Sequence, residues 1–279
     1  MLPILRRGAH GVEVEWLQKR LTAQGFPPGH IDGRFGLGTE AALLAYQRAH
    51  ELLPDGIVGP ATWSALGHGE ATAATDLTDR IDAAFVGELF PFTPQAPIRR
   101  HLPVVLAGLR AAGLTDKPML LMALATIRAE SEGFAPVAEA PSRFNSSPQG
   151  RPFDLYDHRR DLGNEGPPDG EQFRGRGFVQ LTGRANYHRY GQALGLGDTL
   201  CRRPGRALEP ALAGRILAAF LAERRRPIKE ALLEGDLARA RRLVNGGRHG
   251  LDRFAAAYRT GAALLEDGIW GVPATSYAA

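Results

Sequence analysis

The sequence predicts a mainly α protein in two parts, a small three-helix domain followed by a larger, mostly α-helical one. Three observations carry this. Apolar residues recur at spacings of three and four along most of the chain. A turn pattern, Asp-Gly-x-x-Gly-x-x-Thr, occurs twice near the N-terminus, at positions 32–39 and 55–62. Small polar residues without periodicity, 67–76, then read as a linker between residues 1–66 and 77–279.

Composition narrows the function classes. At 279 residues, with 44% hydrophobic and 23% charged side chains, the chain can bury two real cores. Its net charge of +4 favours polyanionic surroundings, and nucleic acid, anionic cell wall and acidic headgroups all qualify. The one cysteine, Cys201, excludes an intramolecular disulfide and has no nucleophile motif around it. The eight histidines show neither HExxH nor paired Cys/His spacing, so neither a metal site nor a cofactor is expected. A Walker loop and a nucleophile elbow are also missing. No run approaches the ~18 apolar residues of a membrane span. The start, Met-Leu-Pro-Ile-Leu-Arg-Arg, lacks the apolar core of a secretory signal. The expectation is a monomer made in the cytoplasm, which other machinery must release if it acts outside.

In the first domain Val14, Leu17 and Leu21 lie at helical spacing, with Trp16 beside them and Gly25 as a stop. Each repeat reads as a tight Asp-Gly turn, a short apolar contact and a threonine suited to cap the next helix. Thr39 thus opens a helix over 40–50, and Pro60 lies near the start of a short one over 61–66. This doubled pattern resembles the peptidoglycan-binding domain type 1, over residues 4–66. The resemblance implies a non-catalytic module whose partner is bacterial peptidoglycan. The repeated glycines and threonines read as structural. Near the C-terminus, Asp267-Gly-Ile-Trp-Gly271 echoes the repeat without its spacing and reads as a tail.

Helical periodicity resumes at 81–90, 98–112, 117–129, 210–223, 237–243 and 251–265. Between them, 131–173 is rich in Pro, Gly, Ser and Asp. A loop of that length in a compact domain is usually functional, here as the wall of a cleft. The helix from Lys117 is nearly all apolar, hence central, and ends in Arg128, Glu130 and Glu132. A carboxyl at the mouth of a buried helix is where a general acid can be built. Glu139, past an irregular segment, could complete a pair flanking a glycosidic bond. Glutamates at a helix end are ordinarily solvated, so these residues alone leave the question open.

The stretch Phe173-Arg-Gly-Arg-Gly-Phe-Val-Gln-Leu-Thr-Gly-Arg-Ala-Asn-Tyr187 is the most distinctive in the chain. Its glycines let a backbone approach a ligand closely. Gln180, Thr182, Asn186 and Tyr187 supply neutral donors and acceptors of the kind that read sugar hydroxyls. The stretch also approaches an RNA-binding pattern, but Arg176 and Leu181 stand where base-stacking aromatics are needed. Nucleic acid is therefore not an expected partner.

Taken in order, Glu130-Ser-Glu-Gly-Phe134, the stretch 173–187 and Val244-Asn-Gly-Gly247 resemble glycoside hydrolase family 19 in its bacterial and phage endolysin branch, over about 98–265. The resemblance implies a lysozyme-like catalytic domain that cleaves β-1,4 links between amino sugars, a muramidase acting on peptidoglycan. It implies Glu130 as proton donor, Thr182 as a positioner of the attacking water and Gln180 on the sugar. Asn186, Tyr187 and Asn245 match substrate-contacting positions, and Arg253 matches an arginine that holds the acid's charge environment. Glu139 has the endolysin-like spacing for the second acid, with Asp154, Asp157, Glu165, Asp169 and Glu171 as alternatives. Ala129 and Glu132 replace the family's usual His and first Gly. An inverting mechanism is implied, whose carboxyl groups stand roughly 6.5–9.5 Å apart. The alternatives are a chitinase, a lytic transglycosylase and an inactive wall-binding protein.

Overall fold

A computed structural model describes residues 3–68, 76–245, 247 and 250–265. It is mainly α, and the chain divides into two compact units with the break between Asp76 and Leu77. The tail motif 267–271 and most of the linker segment, 69–75, lie outside the described residues.

Among the described residues the first unit holds three helices, α1 (Val12–Ala23), α2 (Leu37–Ala49) and α3 (Pro60–Ala65). Val14, Leu17, Leu21, Leu43, Tyr46 and Trp63 form its core. The two repeats are built alike, around a buried glutamine on the preceding helix. Gln18 donates through Nε2 to Asp32 Oδ1 at 2.9 Å and Thr39 Oγ1 at 3.0 Å, and accepts from the Gly33 amide at 2.9 Å. Gln47 repeats the set with Asp55 Oδ1 at 3.1 Å, Thr62 Oγ1 at 3.3 Å and the Gly56 amide at 3.0 Å. Gln47 thereby satisfies turn groups that burial would otherwise leave unpaired, and Gln18 ties the same groups of the more exposed first turn to its helix. The threonines are not N-caps, contrary to the sequence expectation. Glycines 36 and 59 hold the cap positions, and Thr39 and Thr62 lie inside the helices, tied back to their turns. The unit also runs past 66: the ring of His68 lies 4.1 Å from that of Trp16.

The second unit begins with α4 (Ala83–Leu89), α5 (Gln95–Ala111) and α6 (Lys117–Glu130). Every residue of α6 from Lys117 to Ala129 is buried, as a helix apolar on all sides requires. Asp116 caps it by accepting from the Met119 amide at 3.1 Å, and its other carboxylate oxygen pairs with buried Lys229 at 2.8 Å. Further on come the strand β1 (Val137–Ala138), the short α7 (Asp169–Gln172), the strand β2 (Arg176–Gly177) and α8 (Arg184–Ala193). The set is completed by α9 (Thr199–Arg202), α10 (Pro210–Glu223), α11 (Arg225–Leu233), α12 (Leu237–Asn245) and α13 (Leu251–Leu264). Helices α4, α10, α11 and α13 pack on α6.

Helices α5 and α10 cross at Gly108 and Gly214. A Cβ at 108 would stand 2.7 Å from the Gly214 carbonyl oxygen, and one at 214 would stand 2.6 Å from that of Val104. Only glycine permits this approach. Helices α8 and α11 were not expected from the sequence. The buried stripe of α8 is Tyr187, Tyr190 and Gly191 among polar residues, and α11 follows α10 directly with Pro227 in its first turn. Helix α8 gives no strong apolar period, whereas α11 carries a short one, Ile228, Ala231 and Leu232 at i, i+3 and i+4, that the sequence reading passed over.

Candidate active site

Glu130 is the last residue of α6 and the one residue of that helix that is not buried. Its Oε1 accepts from Arg241 Nη2 at 2.7 Å. Arg241, on α12, is fully buried, while the Glu130 side chain is 14% exposed. A guanidinium held in the core thus fixes one carboxyl oxygen and leaves Oε2 without a hydrogen-bond donor among the described residues.

Glu139 is placed by the two-stranded ladder. Val137 pairs with Gly177 and Ala138 with Arg176, antiparallel, and the Glu139 amide then donates to the Gly175 carbonyl at 2.8 Å. The carboxylate receives three donors: Asn145 Nδ2 and Tyr156 Oη at 2.9 Å on Oε1, and the Gly175 amide at 3.1 Å on Oε2. Burial first, and the Glu139 charge after it, push the Tyr156 phenol up to about 12, so it remains a donor. Gly175 has no side chain because three groups meet above it. A Cβ there would stand 2.8 Å from Gln180 Oε1 and 3.2 Å from both Glu139 Oε2 and Thr182 Oγ1. Three of the residues singled out in the sequence therefore converge on one spot. Gln180 sits at φ 51°, a costly conformation for a side chain with a Cβ, and its amide donates to the Val137 carbonyl at 2.9 Å.

The long irregular segment builds the far side of this group. Three of the alternative acids are consumed as its anchors. Asp154 accepts from Ser147, Asp157 pairs with Arg151 at 2.9 Å and takes the Gly170 amide, and Asp169 takes a two-point contact from Arg184 at 2.9 and 2.6 Å. Glu165 and Glu171 are exposed. Burial raises the Asp169 carboxyl, but the Arg184 hydrogen bonds and charge carry it below the usual range. Its stabilising contribution is therefore complete above the unfolded carboxyl value of ~3.9 and is lost as pH falls through the lower folded value. Asp169→Asn is expected to cost about 2 kcal/mol at neutral pH, a figure reduced for the partial exposure of Arg184, and to flatten the acid limb of the stability profile. Urea denaturation from pH 7 to pH 3 checks both.

Two sequence assignments need correction. Tyr187 is fully buried, and its hydroxyl donates to the Arg174 carbonyl and accepts from Arg176 Nη1, both at 2.9 Å. It braces the stretch from below and has no surface to offer a substrate. Arg253 does not hold Glu130. It donates to Glu132 Oε1 at 2.9 Å, and Arg128 joins the same oxygen at 3.1 Å. These two, Arg253 foremost, keep Glu132 below its ordinary range. Asn186 is half-buried and donates to the Thr182 carbonyl at 2.8 Å, so it orients the loop that carries Thr182. Asn245 ends α12 and accepts from the Gly247 amide at 3.0 Å; Gly246 of that motif lies outside the described residues.

Sequence reasoning missed Arg241, Asn145 and Tyr156. For Arg241 a signal existed. Leu237, Ala240, Arg241 and Val244 lie at i, i+3, i+4 and i+7, so the arginine sits on the apolar stripe of its helix. Asn145 and Tyr156 stand in aperiodic sequence, where nothing local marks them.

Comparison with known proteins bears on parts of the chain. Residues 10–66 match the family described as "Putative peptidoglycan binding domain". The N-acetylmuramoyl-L-alanine amidase CwlM of Mycobacterium tuberculosis is 49% identical over 57 residues, 20% of this chain and 14% of that protein. A spore cortex-lytic enzyme of Bacillus cereus is 44% identical over 59 residues, 21% of this chain and 23% of that one. The chain thus spans less than a quarter of these relatives. Among solved structures, chitinase C from Streptomyces griseus is 18% identical with a TM-score of 0.45, over 70% of this chain and 83% of that one. A Burkholderia AP3 phage endolysin is 20% identical with a TM-score of 0.28, over 95% of this chain and 100% of that one. At these scores the likeness assigns no activity.

Proposed function

We propose that the chain is a peptidoglycan hydrolase of the muramidase type, a glycosidase resembling family 19, carried to the wall by its N-terminal module. The observation that supports this best is the pair of differently held carboxyls. Glu130 ends a buried helix on Arg241, and Glu139 shares the space over Gly175 with Gln180 and Thr182. In this reading Glu130 Oε2 gives its proton to the leaving glycosidic oxygen as the bond to the anomeric carbon breaks. Arg241, fixed in advance, stabilises the carboxylate that forms. A water held by Thr182 and Gln180 attacks the opposite face of the sugar, and Glu139 takes its proton. The match of residues 10–66 supports peptidoglycan as the partner of the module. No described helix is long and apolar enough to cross a membrane. The protein would be made in the cytoplasm and reach the wall through a holin or a secretion machine.

Mass spectrometry of fragments from purified peptidoglycan, after borohydride reduction, tests the reading. Reduced muramic acid ends are expected. Anhydro ends would mean a transglycosylase, reduced glucosamine ends a chitinase-like register, and an undigested wall an inactive binder.

A further inference from the structure

The two repeats of the first unit share a hydrogen-bond plan but not an environment. In the second, Asp55, Gly56, Ile57 and Val58 are all buried. In the first, Asp32 and Arg34 are exposed. A groove of about 720 Å³ opens against this first copy, lined among others by His10, Val12, Glu15, Asp32, Arg34 and Phe35. Its floor is rigid: the Gly11 amide donates to the Gly33 carbonyl and the Phe35 amide to that of Ala9, both at 2.9 Å. A Cβ at Gly33 would stand 3.2 Å from the Gly11 carbonyl oxygen, so the walls already touch.

The groove has both signs of charge and an apolar lip. Asp32 uses Oδ1 for Gln18 and for the Arg34 amide, and the Gln18 hydrogen bond above all holds its carboxyl below the ordinary range. Glu15 stands along the wall, paired with Lys19 at 2.5 Å. The Arg34 guanidinium has no hydrogen-bond acceptor among the described residues. Val12, 73% exposed, forms the lip. Sugar rings are usually gripped by flat aromatic faces. Of the two ring side chains lining this groove, Phe35 is 2% exposed and offers no face, which leaves only the small imidazole of His10.

We propose that this groove is the wall-contacting site of the module and that it takes the charged peptide stem of peptidoglycan, not the glycan strand. An amine of the stem meets Asp32 and Glu15, a carboxylate meets Arg34, and a short apolar side chain rests on Val12. The second repeat, sealed into the core, is the scaffold on which the first is displayed. This inference rests on the reading of the chain as a wall-acting protein.

The test uses the full chain carrying Glu130→Gln, so that the wall is not consumed, in sedimentation with purified peptidoglycan. Adding Arg34→Ala is expected to weaken binding about tenfold, the effect of one lost charge-assisted contact. Arg34→Lys should recover part of the loss, and Arg48→Ala, an exposed cation elsewhere on the module, should change nothing. In amide NMR of the same protein, a free stem tetrapeptide should shift Gly11, Gly33 and Arg34, and tetra-N-acetylchitotetraose should leave them in place. Unchanged sedimentation of the Arg34→Ala protein, or shifts from the sugar in place of the peptide, would overturn the groove assignment alone. Failure of the Arg34-intact chain to sediment would reject the wall-acting reading and this proposal with it.

Discussion

Glu130→Gln lowers turnover of purified peptidoglycan by roughly a thousandfold, within the range for loss of a general acid, and leaves sedimentation with the wall intact. The substitution keeps the shape of the side chain and an oxygen for Arg241 Nη2, but removes the charge facing a fully buried guanidinium. A stability loss of about 2 kcal/mol accompanies it, smaller than for removing the partner altogether. The two effects separate cleanly, because a thermal melt reads one and reducing-end release below the melting range reads the other. Retained lysis in a folded Glu130→Gln protein would place the acid elsewhere.

Glu139→Gln is the second large effect. The carboxylate accepts from Asn145, Tyr156 and the Gly175 amide, and a carboxamide has only one oxygen to offer. Whichever way it turns, its NH2 faces at least one N–H or O–H donor. The expected result is a loss of a hundredfold or more in hydrolysis, from the missing base and from displacement of Gln180 and Thr182 beside it. Azide, which attacks without needing deprotonation, should restore cleavage as a glycosyl azide if Glu139 is the base. Full activity without azide would remove that role.

Much of this was legible beforehand, for reasons that differ by element. Helix α6 is apolar on nearly every face, so its central place and the position of Glu130 at its mouth followed from composition. The doubled Asp-Gly turn announced the first unit, because such turns need a glycine at positive φ: Gly33 has φ 66° and Gly56 φ 70°. Threonine in that repeat misled, since capping preference and a buried hydrogen bond to glutamine select the same residue type. Tyr187 misled for a similar reason. A phenol looks alike in a sugar site and in a core, and only its fully satisfied hydroxyl, with no exposed surface, distinguishes the two.

The sequence by itself determined the helical class and the composition of the doubled turn, and it singled out Glu130, Glu139, Gln180 and Thr182 as candidates, because periodicity, turn chemistry and residue type are local properties. The tertiary structure alone decided which groups meet. Arg241 reaches Glu130 across 111 positions, and Gly175 comes under Glu139 across 36. Tyr156 and Asn145 close on the same carboxylate from a segment with no period at all. Contacts of that kind depend on how helices and loops pack in space, and a charge or hydrogen-bond partner acquires its role only when packing removes the water that would otherwise serve in its place.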